Sequence, residues 1–82
     1  MAEQMKRKEN MDIVLQSKKD SAFVRNQSGE WTSDPRRAHV FLRGLDALAH
    51  CWNRRLNDMQ MVVRFTDSRM NFTVAIANTL TA

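Results

Sequence analysis

Apolar and polar residues alternate near the start of the chain, over residues 11–17. Alternation with a period of two is typical of a strand that buries one face. Three polar residues at 18–20 separate this segment from a shorter apolar segment within 21–26. The two segments are therefore predicted to be strands that are joined as a hairpin.

The connection from this hairpin to the next element contains turn and helix-entry residues. A turn is expected at 26–30, after which Trp31 continues as a short third strand or an extended segment. Asp34 can accept hydrogen bonds from the first amides of a helix, and Pro35 suits the first helical position, so a brief helical turn is predicted there. The pattern at 39–42 fits either a continuation of that turn or a short strand.

A helix is predicted over residues 45–57, where apolar residues recur at helical spacing. The apolar stripe that we expect to face the sheet consists of Leu45, Leu48, Ala49, Trp52 and Leu56. The opposite side, which we expect to face solvent, carries Arg43, His50, Arg54 and Asn57. Asp46 lies near the start of the helix and Arg54 near its end, which matches the helix dipole.

The alternating pattern returns twice in the last third of the chain, over 59–66 and 72–79, with turn residues at 67–71 between them. These two segments are predicted to form a second hairpin. Its last strand is expected to lie at the edge of the sheet.

Together these elements predict an α+β fold: an antiparallel sheet of four to five strands with one long amphipathic helix on one face, in the order β-β-(β)-α-β-β. The other face of the sheet is expected to contact water. Residues 1–10 are polar and are predicted to be a disordered charged tail, which leaves 11–82 as a single domain. The predicted core consists of Ile13, Leu15, Phe23, Trp31, Phe41, Leu45, Leu48, Trp52, Leu56, Met61, Val63, Phe65, Phe72, Val74 and Ile76.

The junction between the first hairpin and the helix contains a Gly-x-Trp-Thr-x-Asp turn, an Ala-x-x-Phe step and then helical alanines. The residues are Gly29, Trp31, Thr32, Asp34, Ala38, Phe41, Ala47 and Ala49. Over 21–49 the chain thereby resembles small uncharacterised bacterial and prophage proteins, and the resemblance implies no particular activity. A similar order of three strands and a helix occurs in the arm-type DNA-binding domains of phage integrases, from which this chain departs by adding two strands after the helix.

Length and composition narrow the functional classes. A chain of 82 residues has room for one modest core and little for a deep substrate cleft. Its formal charge of +4 is spread along the sequence without a run of about five like charges, so no basic arm is predicted. Cys51 is the one cysteine, which excludes an internal disulfide. Residues 1–10 lack a secretory signal, and no apolar run reaches the roughly 18–20 residues that span a bilayer, so a cytoplasmic location without a membrane partner is expected.

Candidate catalytic and metal-binding groups are few. His39, His50 and Cys51 lie close in sequence, but three ligands cannot form a closed four-ligand zinc site. Cys51 with His39 is the one nucleophile–base pair to consider, and Cys51 lies in mid-helix rather than at a helix N-terminus, where its pKa would fall. Gly29 and Gly44 are the only glycines, which excludes the Gly-rich nucleotide-binding loops. We therefore predict no catalytic, metal or cofactor site and no small-molecule substrate.

Nucleic-acid binding is the alternative function, because phosphate contacts need several Lys or Arg side chains on one face. The candidate contacts are Lys18, Lys19, Arg36, Arg37, Arg43 and Arg54. Against this alternative, the chain has no Tyr and no aromatic pair spaced like that of an RNA-binding sheet. Solvated surface charge is the competing interpretation of these residues.

Protein binding is the function that the sequence favours. An exposed edge strand can pair with another chain, and the hairpin predicted over 59–79 offers such a strand. Met59 and Met70 are candidate adaptable contacts, whereas Met61 is expected in the core. The hypothesis is a small non-enzymatic binding protein that contacts a foreign protein or forms a homodimer. Sequence-tolerant nucleic-acid binding is second, and an enzyme is a distant third.

Overall fold

The computed structural model describes residues 11–77, which contain one antiparallel five-stranded sheet and one α-helix. The strands are β1 (Met11–Ser17), β2 (Phe23–Val24), β3 (Trp31–Thr32), β4 (Met59–Phe65) and β5 (Phe72–Ala75). The helix α1 is Gly44–Arg54, and short 3-10 turns lie at Pro35–Arg37 and Ser68–Met70. The predicted α+β fold and element order are confirmed. The predicted tail at 1–10 and the predicted end of the last strand at 78–79 lie outside the described residues.

The two longest strands form the centre of the sheet, whose order is β3-β2-β1-β4-β5. β1 and β4 pair over their whole length, from Met11 opposite Phe65 to Ser17 opposite Met59. Opposite residues in an antiparallel pair point to the same face, so the alternating patterns of the two strands reinforce each other. β2 and β3 have two residues each, and β5 pairs with the outer side of β4.

The segment at 39–42, for which the sequence left strand and helix open, is extended. Because β2 is short, this segment takes its place beside the first half of β1: the Phe41 amide donates to the Ile13 carbonyl at 2.8 Å. The His39 amide donates to the Val24 carbonyl, also at 2.8 Å. Ala38 is buried on one face of the sheet and Phe41 on the other, so the chain crosses between the faces here.

Both faces of the sheet carry buried apolar residues, which corrects the expectation that one face is in water. The helix side has the larger core, built from Ile13, Leu15, Val24, Phe41, Ala47, Cys51, Met59, Val63 and Ile76. On the other side, Val14, Phe23 and Ala38 are buried together. The segment around Pro35 covers this second core because Arg64 holds it: one Arg64 nitrogen donates to the Pro35 carbonyl and another to Asp12, both at 2.8 Å.

The helix is rotated relative to the prediction. Its fully buried residues are Ala47 and Cys51, whereas Leu45 is 72% exposed and Trp52 is 59% exposed. At 100° per residue, the centre of the predicted stripe lies roughly 140° around the helix from Ala47 and Cys51. Small side chains at 47 and 51 let the helix backbone approach the sheet closely, and the larger apolar residues lie on the flank.

Three further predictions of buried residues are wrong. Trp31 is 43% exposed, Phe72 is 51% exposed and Val74 is 41% exposed. Each belongs to a strand at an edge of the sheet, β3 or β5, which has a neighbouring strand on one side only. Alternation therefore identified these strands correctly but not the extent to which other elements cover them.

Candidate protein-binding edge

The outer strand β5 is the most exposed strand of the sheet, and all four of its residues are exposed. Its one neighbour among the described residues is β4, with Phe72 opposite Val63 and Val74 opposite Met61. Just after the strand, the Ile76 amide donates to the Met59 carbonyl at 3.0 Å. The register of the hairpin is therefore defined over its full length.

This register determines which backbone groups point away from the sheet. In an antiparallel ladder, residues alternate between those that bond to one neighbouring strand and those that bond to the other. Since Ile76 bonds to β4, Val74 and Phe72 do so too, and the intervening Thr73 and Ala75 direct their N–H and C=O groups to the open side. β5 thus presents two hydrogen-bonding residues to any strand that lies beside it.

β5 lacks the features that normally block an exposed edge. Natural edge strands carry charged residues, prolines or bulges, or are very short. The segment 70–82 contains no charged residue and no proline. The opposite edge strand, β3, has only two residues and is followed closely by Asp34. Of the two edges, β5 is therefore the better template for strand pairing.

An apolar surface adjoins the open strand on the helix side of the sheet. Phe72 lies on that side because it is opposite Val63, a member of the helix-side core, and Val74 lies on it because it is two residues further along. On α1, Arg54 donates to the Gln27 carbonyl in the β2–β3 turn, so the flank with Arg54 faces β2 and β3. The opposite flank therefore lies toward the β4–β5 side of the sheet. It carries two of the most exposed apolar residues of the described chain, Leu45 and Trp52.

We call Leu45, Trp52, Phe72 and Val74 the β5 surface. They come from two elements and share one side of the sheet. The rings of Phe72 and Phe65 are 6.2 Å apart, which connects the surface to the partly buried end of β4. Sequence reasoning identified the edge strand but assigned all four residues to the core. The sequence has no signal for their exposure, because an uncharged strand such as the one after Arg69 is equally typical of a buried position.

The structure does not bring the six candidate nucleic-acid contacts together. Lys18 and Lys19 lie in the β1–β2 turn. Arg36 and Arg37 lie in the turn that covers the second core, and both are within 3.6 Å of the Asp34 carboxylate.

The other two candidates lie on the helix side of the sheet. Arg43 pairs with Asp46 at 3.3 Å, and Arg54 donates to the Gln27 carbonyl. Four of the six candidates therefore have intramolecular partners, and they are divided between the two faces.

The candidate nucleophile Cys51 is fully buried, and burial raises the pKa of its thiol to about 11. A thiol with a raised pKa is a poor nucleophile near neutral pH. His50 is partly buried, and desolvation together with the neighbouring Arg54 and His39 lowers its pKa. Within residues 11–77 no three His, Cys, Asp or Glu side chains are grouped closely enough to hold a metal ion.

Comparisons with known proteins add no relative: no family model, no curated protein and no solved structure matches the chain. Among the helices of residues 11–77, none has the length and apolar character needed to cross a membrane.

Proposed function

We propose that this protein is a small non-enzymatic binding protein that acts through protein–protein contact, and that its partner is a second copy of itself paired along β5. The observation that supports this most directly is the open, uncharged β5 strand beside the exposed β5 surface. The free and buried single cysteine, Cys51, is consistent with the reducing cytoplasm in which we place this dimer.

A second copy fits β5 because the strand is complementary to itself. A two-fold dimer places the same surface of each copy in contact. If Val74 lies on the two-fold axis, Thr73 is opposite Ala75 of the other copy. These are the two residues with outward N–H and C=O groups, so both pairs can exchange both backbone hydrogen bonds. The strand carries no charge, so no like charges oppose each other.

The same geometry brings the two β5 surfaces together. Antiparallel pairing across a two-fold axis perpendicular to the sheet keeps both helices on one side. Phe72 of one copy then lies opposite Ile76 of the other, and the exposed Leu45 and Trp52 of each copy border the joined strands. Apolar side chains that are half or more exposed in a single chain would be removed from water in the dimer. This burial of apolar surface provides the main stabilisation of association.

The test is light scattering on a sizing column across about 5 to 500 µM chain, the range in which a dimer with micromolar Kd dissociates. We expect a dimer for the native chain. Val74→Lys would place two like charges face to face on the axis, and we expect its Kd to rise at least about tenfold. Val40→Lys is the matched control, because Val40 is 43% exposed and Val74 is 41% exposed, and Val40 lies away from β5.

A second variant tests the backbone pairing itself. Thr73→Pro removes an N–H that points to the open edge and leaves the bonds to β4 in place. Thr73→Ala, which keeps that N–H, is its control. A monomer at every concentration, or a dimer that survives both Val74→Lys and Thr73→Pro, would contradict the proposed partner.

A further inference from the structure

A cleft of about 600 Å³ lies on the flank of α1 opposite the β5 surface. The helix forms one wall, the extended segment at 39–42 forms another, and Gln27 of the β2–β3 turn lies at its margin. Its polar lining residues are Gln27, His39, Asp46, His50, Asn53 and Arg54. The cleft and the β5 surface share no residue.

Three groups that can carry positive charge converge in this cleft. His39 and His50 both pack against the ring of Phe41, with ring centroids 4.7 and 5.6 Å from it. Arg54 follows His50 by one helical turn, so it lies on the same flank of α1. A buried aromatic ring thus fixes the spacing of the two imidazoles, and the helix fixes Arg54 beside them.

Two carboxylates lie near these groups, and among the described residues neither forms an ion pair with them. Asp46 lines the cleft, but both of its oxygens accept from the Arg43 guanidinium, at 3.3 and 3.4 Å. Glu30 borders an adjoining pocket with His50 and Arg54, and its carboxylate accepts from the Asn26 amide at 2.9 Å. Among the ion pairs of residues 11–77, none includes a histidine or Arg54.

We propose that this cleft binds a small tetrahedral oxyanion, such as a phosphate group, between His39, His50 and Arg54. Arg54 supplies planar N–H donors that suit phosphate oxygens. Protonated imidazoles add charge, and the side-chain amides of Asn53 and Gln27 can donate at the margin. The exposed Val40 and Leu42 on the facing segment leave room for an apolar substituent on the anion.

Binding should be coupled to proton uptake. Burial, Arg54 and His39 all lower the pKa of His50 and so favour its neutral form. A bound anion acts in the opposite sense and raises that pKa. By linkage, a non-titrating anion such as sulfate should bind more tightly as pH falls through the pKa of His50.

The test is an NMR titration of the imidazole protons of the full chain with sulfate, against chloride at matched ionic strength. We expect saturable shifts of His50 and His39 with sulfate, and a higher pKa of His50 in sulfate than in chloride. Inorganic phosphate should give the same response, and acetate a weaker one, since it offers fewer oxygens. A response to acetate as strong as that to sulfate would overturn the tetrahedral specificity.

Substitutions locate the site. Arg54→Gln should weaken sulfate binding on the order of tenfold, the usual effect of losing a charged hydrogen-bond donor. Arg69→Gln is the control, because Arg69 lies in the β4–β5 connection. His50→Gln, observed through His39, provides a second test if Arg54→Gln disturbs the β2–β3 turn. Equal shifts in chloride and sulfate, or unchanged sulfate affinity in both cleft variants, would overturn the proposal.

Discussion

The neighbouring strands β4 and β5 have the same alternating pattern and very different environments. In β4, Met59 and Val63 are buried among β1, β5 and the helix. In β5, every residue is exposed, although Phe72 and Val74 are as apolar as their counterparts in β4. The comparison shows that alternation specifies a strand and its two faces, whereas burial depends on how many elements pack against it.

The helix repeats this contrast on a smaller scale. Its side facing the sheet uses the small residues Ala47 and Cys51, which are fully buried, and its flank toward β5 carries Leu45 and Trp52, which are exposed. A chain that needed only a folded monomer would gain more by burying the larger side chains, since burial of apolar area is the main stabilising contribution. Their exposure beside β5 is what motivates the proposed dimer.

The largest expected effect comes from making one substitution, Leu→Ala, at a buried position and at an exposed position. Leu15→Ala removes a side chain that is fully buried, so we expect the free energy of unfolding to fall by about 2–5 kcal/mol. Leu45→Ala makes the same change at an exposed position, and we expect a loss within about 0.5 kcal/mol in dilute monomer. Urea unfolding followed by circular dichroism measures both.

The dimer dissociation constant should distinguish the two positions in the opposite way. Leu45→Ala should weaken the dimer on the sizing column, because Leu45 belongs to the β5 surface. A destabilisation by Leu45→Ala in the monomer as large as that by Leu15→Ala would show that Leu45 is buried in solution, and the contrast between the two flanks would fail.

The elements of this fold could be predicted from the sequence because each has a strong local signal. The strands follow the period of two, and the turns follow from Asp34-Pro35 and from polar residues such as those at 67–71. The element order then follows from the chain itself. The prediction of an edge strand after β4 is confirmed by the strand order.

The covering of the elements could not be predicted, since it depends on tertiary contacts. The helical stripe with the greatest apolar area was taken as the buried one. The fully buried helical residues are instead Ala47 and Cys51, and of the predicted stripe Leu48 and Leu56 are partly buried against the core. Similarly, Val14 was left out of the predicted core, because its burial requires the distant Ala38 to fold over the second face. The cleft was missed for the same reason: His39 and His50 come together because both pack against the ring of Phe41.

A smaller effect is expected when two Arg–Asp pairs are compared, one that is partly buried on β4 and one that is exposed beside β5. Arg64 on β4 donates to Asp12 at 2.8 Å and is partly buried, and it also holds the Pro35 carbonyl. Arg69 beside the β4–β5 turn donates to Asp67 at 2.9 Å and is exposed. We expect Arg64→Gln to lower the free energy of unfolding by about 1–3 kcal/mol, since it leaves several partners unsatisfied.

Arg69→Gln should leave the free energy of unfolding nearly unchanged, since exposed ion pairs contribute little. Urea unfolding of both variants makes the comparison. Equal effects of the two substitutions would mean that the second core does not depend on Arg64, and the covering of that face would need another explanation.

The smallest effect depends on pH and concerns two capping carboxylates. Asp34 caps the turn over the second core, and Asp67 caps the turn between β4 and β5. The Arg36 backbone N–H, at 2.9 Å, is the main cause that lowers the pKa of Asp34 in the turn over the second core. The Arg69 side chain, followed by its backbone N–H, lowers the pKa of Asp67 in the β4–β5 connection. A carboxylate with a lowered pKa stabilises the folded state above its unfolded pKa, and that contribution disappears as pH falls through the folded pKa.

We therefore expect the Tm of the native chain to fall as pH is lowered from about 5 to about 2, partly through these two groups. Asp34→Asn and Asp67→Asn should each have a slightly lower Tm at neutral pH and a shallower fall in acid, because Asn caps the turn without titrating. If dimerisation through β5 stabilises the adjoining hairpin, concentrated protein should reduce the effect of Asp67→Asn and not that of Asp34→Asn. Equal reduction of both effects, or of neither, would mean that dimerisation does not stabilise the β4–β5 connection.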